Sequence, residues 1–146
     1  MADWKKQLLF DDVQIGDNLP ALRLPLTAQR LVMEAGVNRD FEPIHHEIAA
    51  AKQAGAPTIF ANYVYISALT ERFLREWIGL NGQLLKIGPF RMTRFACAGT
   101  VTECGGKVVS KREEGGKHLV DLEIWQDDGK GHTMEGKAVV ALPTKK

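Results

Sequence analysis

The longest helical pattern in the chain, NYVYISALTERFLREWIG at residues 62–79, carries no charge on any side of its first half. A surface helix keeps a polar stripe, and one that is apolar all round is buried there. The second half adds Glu71, Arg72, Arg75 and Glu76 and sets Leu69, Phe73, Trp77 and Ile78 on one stripe. Asn62 is suited to cap the start and Gly79 to stop the end. The remaining chain must therefore enclose one end of this helix.

The C-terminal part of the chain is suited to that task. After Gly82 the pattern changes to strands: QLLKIGPFRMTRF, GTVTECGGKVVSKREEGG, KHLVDLEIWQDDGKGH and TMEGKAVVALP. DDGKG is a strong hairpin signal, and CGGK and EEGGK also read as turns. Leu119, Asp121, Glu123 and Trp125 alternate with Val120, Leu122 and Ile124, as in an antiparallel sheet with one buried and one mixed face. Helical segments before a run of strands favour α+β over βαβ alternation. One long helix against a curved antiparallel sheet describes a hot-dog fold, although an α+β sandwich of another topology would read much the same.

The first 80 or so residues are read as helices and loops. FDDVQIGDNLP is an irregular lead-in with a turn at Gly16–Asn18. ALRLPLT alternates as a strand whose Pro25 marks an edge or an end. Thr27 caps AQRLVMEAG, which would point Leu31, Val32 and Ala35 inward and stop at Gly36. Pro43 disfavours helical angles at Glu42, so Asp40 to Ile44 is a tight loop. HHEIAAAKQAG then forms a short helix ended by Gly55.

With 146 residues, the chain suits one domain, 1–146, with a core that needs no staples. A net charge of +1 and no long basic block give no reason to expect nucleic acid. Neither an apolar stretch of secretory length near Met1 nor a run long enough to span a bilayer is found, so no leader and no membrane are expected. Cys97 and Cys104 lack a zinc spacing and suggest free thiols in a reducing compartment, the cytoplasm. No metal is expected.

The stretch RDFEPIHHE, residues 39–47, crowds proton-transferring groups into a loop bracketed by Gly36 and Pro43. Asp40 and His45 lie five positions apart. On a loop feeding a helix, both can turn toward one cavity and share proton transfers near neutral pH. The same pair also fits an N-cap and a surface histidine. Some fifteen residues later comes the uncharged start of the long helix, with unpaired N–H groups and the positive end of a dipole. Such groups can hold a carbonyl oxygen as it gains charge.

AGVNRDFEPIHHEIAAA resembles the hydratase motif of the MaoC-like, (R)-specific enoyl-CoA hydratases. That motif has an Asp, an Asn-Pro pair, a His and a small residue six positions after the His. The matching positions are Asp40, Pro43, His45 and Ala51. The likeness continues through the long helix to GKAVVALP, a common closing strand of the family. It implies a hot-dog fold in which Asp40 and His45 activate a water that adds to a trans-2-enoyl-CoA. It also implies that the backbone N–H near Asn62 binds the thioester oxygen, with no cofactor beyond the CoA of the substrate. Three departures stand out: Arg39 for the usual Gly, Glu42 for the usual Asn, and Ala61-Asn62 for the usual His-Gly. A backbone donor survives at Asn62, while Glu42 adds a negative charge that would raise the pKa of Asp40 or His45. RDFEPIHHE, IFAN and W-I-G resemble the small hydratase subunits of actinobacterial steroid side-chain degradation. That likeness implies a bulky, ring-containing CoA ester. Phe60, Tyr63 and Tyr65 would line the pocket, or serve as plain core. A dimer is expected, because hot-dog sheets leave an edge strand to pair. It would be a homodimer or a heteromer with a second MaoC-like chain.

Two other readings stay open: a hot-dog acyl-CoA thioesterase and a non-catalytic acyl-CoA-binding subunit. A thioesterase usually needs a carboxylate near the start of the central helix, where the early half here has none. His46 points about 100° from His45 and is expected to be exposed. His118 and His132 are expected to be solvated. Ser67 lacks a nucleophile elbow and reads as packing. Lys86, Arg91 and Arg94 fit either CoA phosphates or a solvated face.

Overall fold

A computed structural model describes residues 7–145. Met1–Lys6, where no leader is expected, and Lys146 of the closing TKK lie outside the described residues. A 3₁₀ turn at Phe10–Asp12 precedes strand β1, Leu22–Leu26. Helix α1 spans Ala28–Asn38, a second 3₁₀ turn Pro43–His45, helix α2 Ile48–Gln53 and helix α3 Tyr63–Ile78. Strands β2 (Gln83–Met92), β3 (Thr100–Glu114), β4 (Lys117–Asp127) and β5 (His132–Leu142) complete the chain.

All five strands form one antiparallel sheet in the order β1-β3-β4-β5-β2. The sheet curves around α3, which is the hot-dog arrangement. Pro25 sits in β1, an edge strand, where a missing ladder donor is tolerated. Val108, Val120, Leu122, Ile124, Met134 and Val140 form the inner face, packed on Ile66, Leu69, Phe73, Leu74 and Ile78 of α3. Buried Gln126 ties sheet to helix by donating to Ile66 O at 2.9 Å and Thr70 Oγ1 at 2.8 Å. Register shifts in the β2–β5 and β3–β4 pairs bend the strands so that a flat ladder becomes a wrap.

Several local expectations are corrected. CGGK is no turn: Gly105 and Gly106 lie inside β3. A Cβ on Gly105 would fall 2.5 Å from the Trp125 ring, so the glycine makes room for a cross-strand indole. Helix α1 runs past Gly36 to Asn38, and Val32 is exposed while Leu31 and Ala35 are buried. HHEI does not begin a helix; α2 starts at Ile48, because Pro43 first closes a 3₁₀ turn. The start of α3 is not enclosed on every side: Tyr63 and Val64 are exposed.

Candidate active site

The loop that carries Asp40 is set by how α1 ends. Arg39 adopts φ 60 in the left-handed region. The N–H of Asp40 then reaches Ala35 O at 2.9 Å and that of Arg39 reaches Gly36 O at 3.3 Å. This is a Schellman closure, normally built on glycine. The glycine usual before the motif Asp in the resembled family corresponds to this left-handed position, which Arg39 occupies here. Asn38 Oδ1 also accepts from the Asp40 N–H, at 3.0 Å. The chain then turns through Glu42, extended at φ −64 and ψ 123 as a residue before proline must be, into the 3₁₀ turn that holds His45.

The start of α3 is pinned separately. Ala61 donates to Ala96 O at 2.9 Å and Ala98 to Ile59 O at 2.9 Å, so residues 59–61 lie along residues 96–98. Asn62 caps the helix by accepting the Tyr65 N–H on Oδ1 at 2.8 Å. That leaves its amide nitrogen to donate, and Nδ2 meets Asp40 Oδ2 at 2.8 Å. The first N–H groups of α3 have no intrahelical acceptor, as at any helix start.

Asp40 and His45 face each other, with Oδ2 and Nε2 3.4 Å apart. His45 is 7% exposed, whereas the Asp40 side chain is 33% exposed. His45 Nδ1 lies 2.8 Å from Phe60 O. A carbonyl can only accept, so Nδ1 carries the hydrogen and Nε2 of the neutral ring is a base. Two acceptors that face each other are reconciled by one shared proton, or by a water that donates to both. A water held that way turns its lone pairs outward, as an attacking nucleophile requires.

The sequence-predicted pocket residues separate into three situations. Phe60 is half-buried, edge-on to His45 with ring centroids 5.2 Å apart, and leads on to Phe95 at 4.6 Å. Tyr63 is 60% exposed and lies 5.9 Å from Phe90. Tyr65 is core, with its hydroxyl buried and unpartnered; burial pushes its phenol pKa up. Exposed Phe41, Tyr63, Val64 and Phe95 form the apolar side chains of the segments around the pair. Glu42 points its side chain to solvent, and its N–H approaches Asp40 Oδ1 at 3.4 Å.

Other groups take no part. His46 is exposed. His132 is not simply solvated: it stacks on Trp125 and lies 3.0 Å from Glu135. His118 packs on Phe10. Arg94 pairs with Asp128 at 3.1 Å, and Ser67 Oγ is buried. A groove of about 560 Å³ lined by Phe90, Trp125, His132 and Lys137 lies on β2, β4 and β5 and includes neither Asp40 nor His45. What sequence reasoning missed is the amide of Asn62. Its cap role was legible, but its bond to a carboxylate 22 positions earlier was not.

A sheet wrapped on one helix, with an Asp–His pair at the N-terminal end of that helix, defines a hot-dog domain that carries an acid–base pair. No family model matches the chain. Over 74 residues it is 31% identical to the 3-oxo-4,17-pregnadiene-20-carboxyl-CoA hydratase beta subunit of Mycobacterium tuberculosis, a stretch covering 51% of this chain and 57% of that subunit. The chain thus aligns with little more than half the length of that relative. Among solved structures it resembles the ChsH1-ChsH2 complex of Mycobacterium tuberculosis (TM-score 0.79, 23% identity, 88% of this chain and 98% of that one). It also resembles a MaoC-like dehydratase (TM-score 0.80, 27% identity), covering 98% of this chain and 45% of that one. Among the described residues, no helix is long and apolar enough to cross a membrane.

Proposed function

We propose that the chain is the catalytic subunit of an enoyl-CoA hydratase, adding water reversibly to a trans-2-enoyl-CoA. The observation that carries this reading is the 3.4 Å approach of Asp40 Oδ2 and His45 Nε2, with the Asp40 carboxylate tied to the residue that caps α3. A water donating to both groups attacks the β-carbon. The pair accepts the proton that the water loses and returns one to the α-carbon, so the addition balances without a cofactor. As the carbon–carbon double bond is lost, charge builds on the thioester oxygen. The Asn62 N–H and the positive end of α3 stabilise it there.

The substrate is a bulky, ring-bearing acyl-CoA, supported by the hydratase subunit to which 74 residues of the chain are 31% identical. The assembly is a heteromer with a second MaoC-like chain. Its support is the resemblance to a chain of the ChsH1-ChsH2 complex, together with the exposed Phe41, Tyr63, Val64 and Phe95 near the pair. A partner seated there would dry the site and strengthen each charge interaction in it. The thioesterase reading is weaker: Glu71, an acid of α3, is paired with Arg75 at 2.7 Å.

The test is to purify the chain with whatever co-purifies from its native host and to offer straight-chain and ring-bearing 2-enoyl-CoA esters. The reading expects loss of the conjugated enoyl-thioester absorbance without release of free thiol, fastest for the ring-bearing esters. Thiol release from saturated esters would favour the thioesterase. No consumption of any enoyl ester would overturn the proposal.

A further inference from the structure

We infer that Glu34 and Asn38 are positioning residues that brace Asp40 from behind; this rests on the hydratase reading above. Both lie one turn apart on the last stretch of α1. Asn38 Nδ2 donates to Glu34 Oε1 at 2.5 Å, and Asn38 Oδ1 accepts from the Asp40 N–H at 3.0 Å. The two contacts are linked by the amide itself. A carboxylate oxygen can only accept, so it selects the Nδ2 edge of Asn38 and leaves Oδ1 facing the Asp40 N–H. Without Glu34, the amide can rotate half a turn and present a donor to a donor. Asp40 would then keep only Ala35 O behind a residue, Arg39, held at φ 60 without the freedom of glycine.

The brace matters because the carboxylate of Asp40 has two tasks at one oxygen. Oδ2 faces His45 Nε2 at 3.4 Å and accepts from Asn62 Nδ2 at 2.8 Å. A small rotation of the Asp40 backbone gives up one of these to improve the other. Burial pushes the Glu34 carboxyl up from its ordinary value; the Asn38 bond opposes this, Asp40 adds to it, and His45 opposes it. Tyr65 on α3 lies close enough for the Glu34 charge to raise its phenol pKa. A protonated carboxyl still offers its carbonyl oxygen, so the brace holds in either state.

The experiment compares Glu34→Gln, Glu34→Leu, Asn38→Leu and the Glu34→Leu/Asn38→Leu double variant in the purified assembly, with Asp40→Asn as control. Glu34→Gln keeps an acceptor oxygen and should turn over near the wild-type rate. Glu34→Leu and Asn38→Leu should each lower kcat about 10- to 100-fold, as misplacement of a catalytic group does, at unchanged KM. The double variant should be no worse than the poorer single one. Glu34→Ala replaces Glu34→Leu if thermal unfolding shows the latter unfolded. Leu variants that lose melting temperature but keep kcat overturn the inference, as does a Gln variant as impaired as Leu. Should Asp40→Asn itself keep full activity, the hydratase reading falls with it; an inactive Asp40→Asn beside fully active Leu variants removes the brace alone.

Discussion

Asp40 is held by both of its chemically distinct parts. Ala35 O and Asn38 Oδ1 take its N–H, while Asn62 Nδ2 and the Glu42 N–H approach its carboxylate. Asn62 can be separated into its two roles by substitution. Asn62→Ala removes the cap on the Tyr65 N–H and should cost about 1 kcal/mol in denaturant unfolding. Asn62→Asp keeps an oxygen for that N–H and so should retain the cap, but it loses the bond to Asp40. It also sets a second carboxylate beside Asp40, and like charge raises a carboxyl pKa. The acid limb of its kcat–pH profile should therefore move to higher pH. At mildly acid pH, where the two carboxyls can share a proton, Asn62→Asp should be more stable than Asn62→Ala, and equal losses there would contradict the cap. At this scale the sequence was readable where a residue type forces its own role: Pro43 in the turn, Thr27 and Asn62 as caps. It was misread at Gly36, because glycine is the default residue for a helix end and the structure puts Arg39 there instead.

The helix α3 and the strands β2–β5 were legible from periodicity, since a fully apolar half-helix and alternating strands each admit few environments. CGGK was not. A glycine pair signals a turn and a strand interior equally, and only the partner across the ladder decides. Here that partner is Trp125, opposite Gly105. The indole also stacks on His132 at 5.6 Å, so it is not free to step aside. Gly105→Ala should therefore cost about 1–3 kcal/mol, the usual penalty for forcing a methyl into a filled space. Urea midpoints of the two proteins check this. An unchanged midpoint would mean that Trp125 swings away at no cost. The exposed start of α3 has a related origin: uncharged residues predict burial, yet a single chain leaves Tyr63 and Val64 uncovered.

Across the whole molecule, stability at alkaline pH is tied to a buried thiol. Burial of Cys104 pushes its pKa up to about 12 from an ordinary value of 9.0. Between those values the unfolded chain loses the thiol proton and the folded chain keeps it. Unfolding then releases a proton, so stability falls as pH rises through this window. Replacing Cys104 with Ala removes that contribution. The unfolding free energy of that variant should decline less steeply than wild type as pH rises above the ordinary thiol value, whatever the shared effect of lysines and tyrosines. Parallel slopes would contradict the burial of the thiol. The order of helical and strand patterns pointed to one long helix against an antiparallel sheet but admitted other α+β topologies, and both the wrap of the sheet and the convergence of Asp40, His45 and Asn62 needed the fold. The proposed hydration depends most on Asp40 and His45 sharing one water. The most direct test is the initial rate of enoyl-thioester loss by the purified assembly carrying Asp40→Asn or His45→Ala. Each substitution should lower kcat by about 10²–10⁴-fold with unfolding curves unchanged, and wild-type rates in both would contradict the central claim.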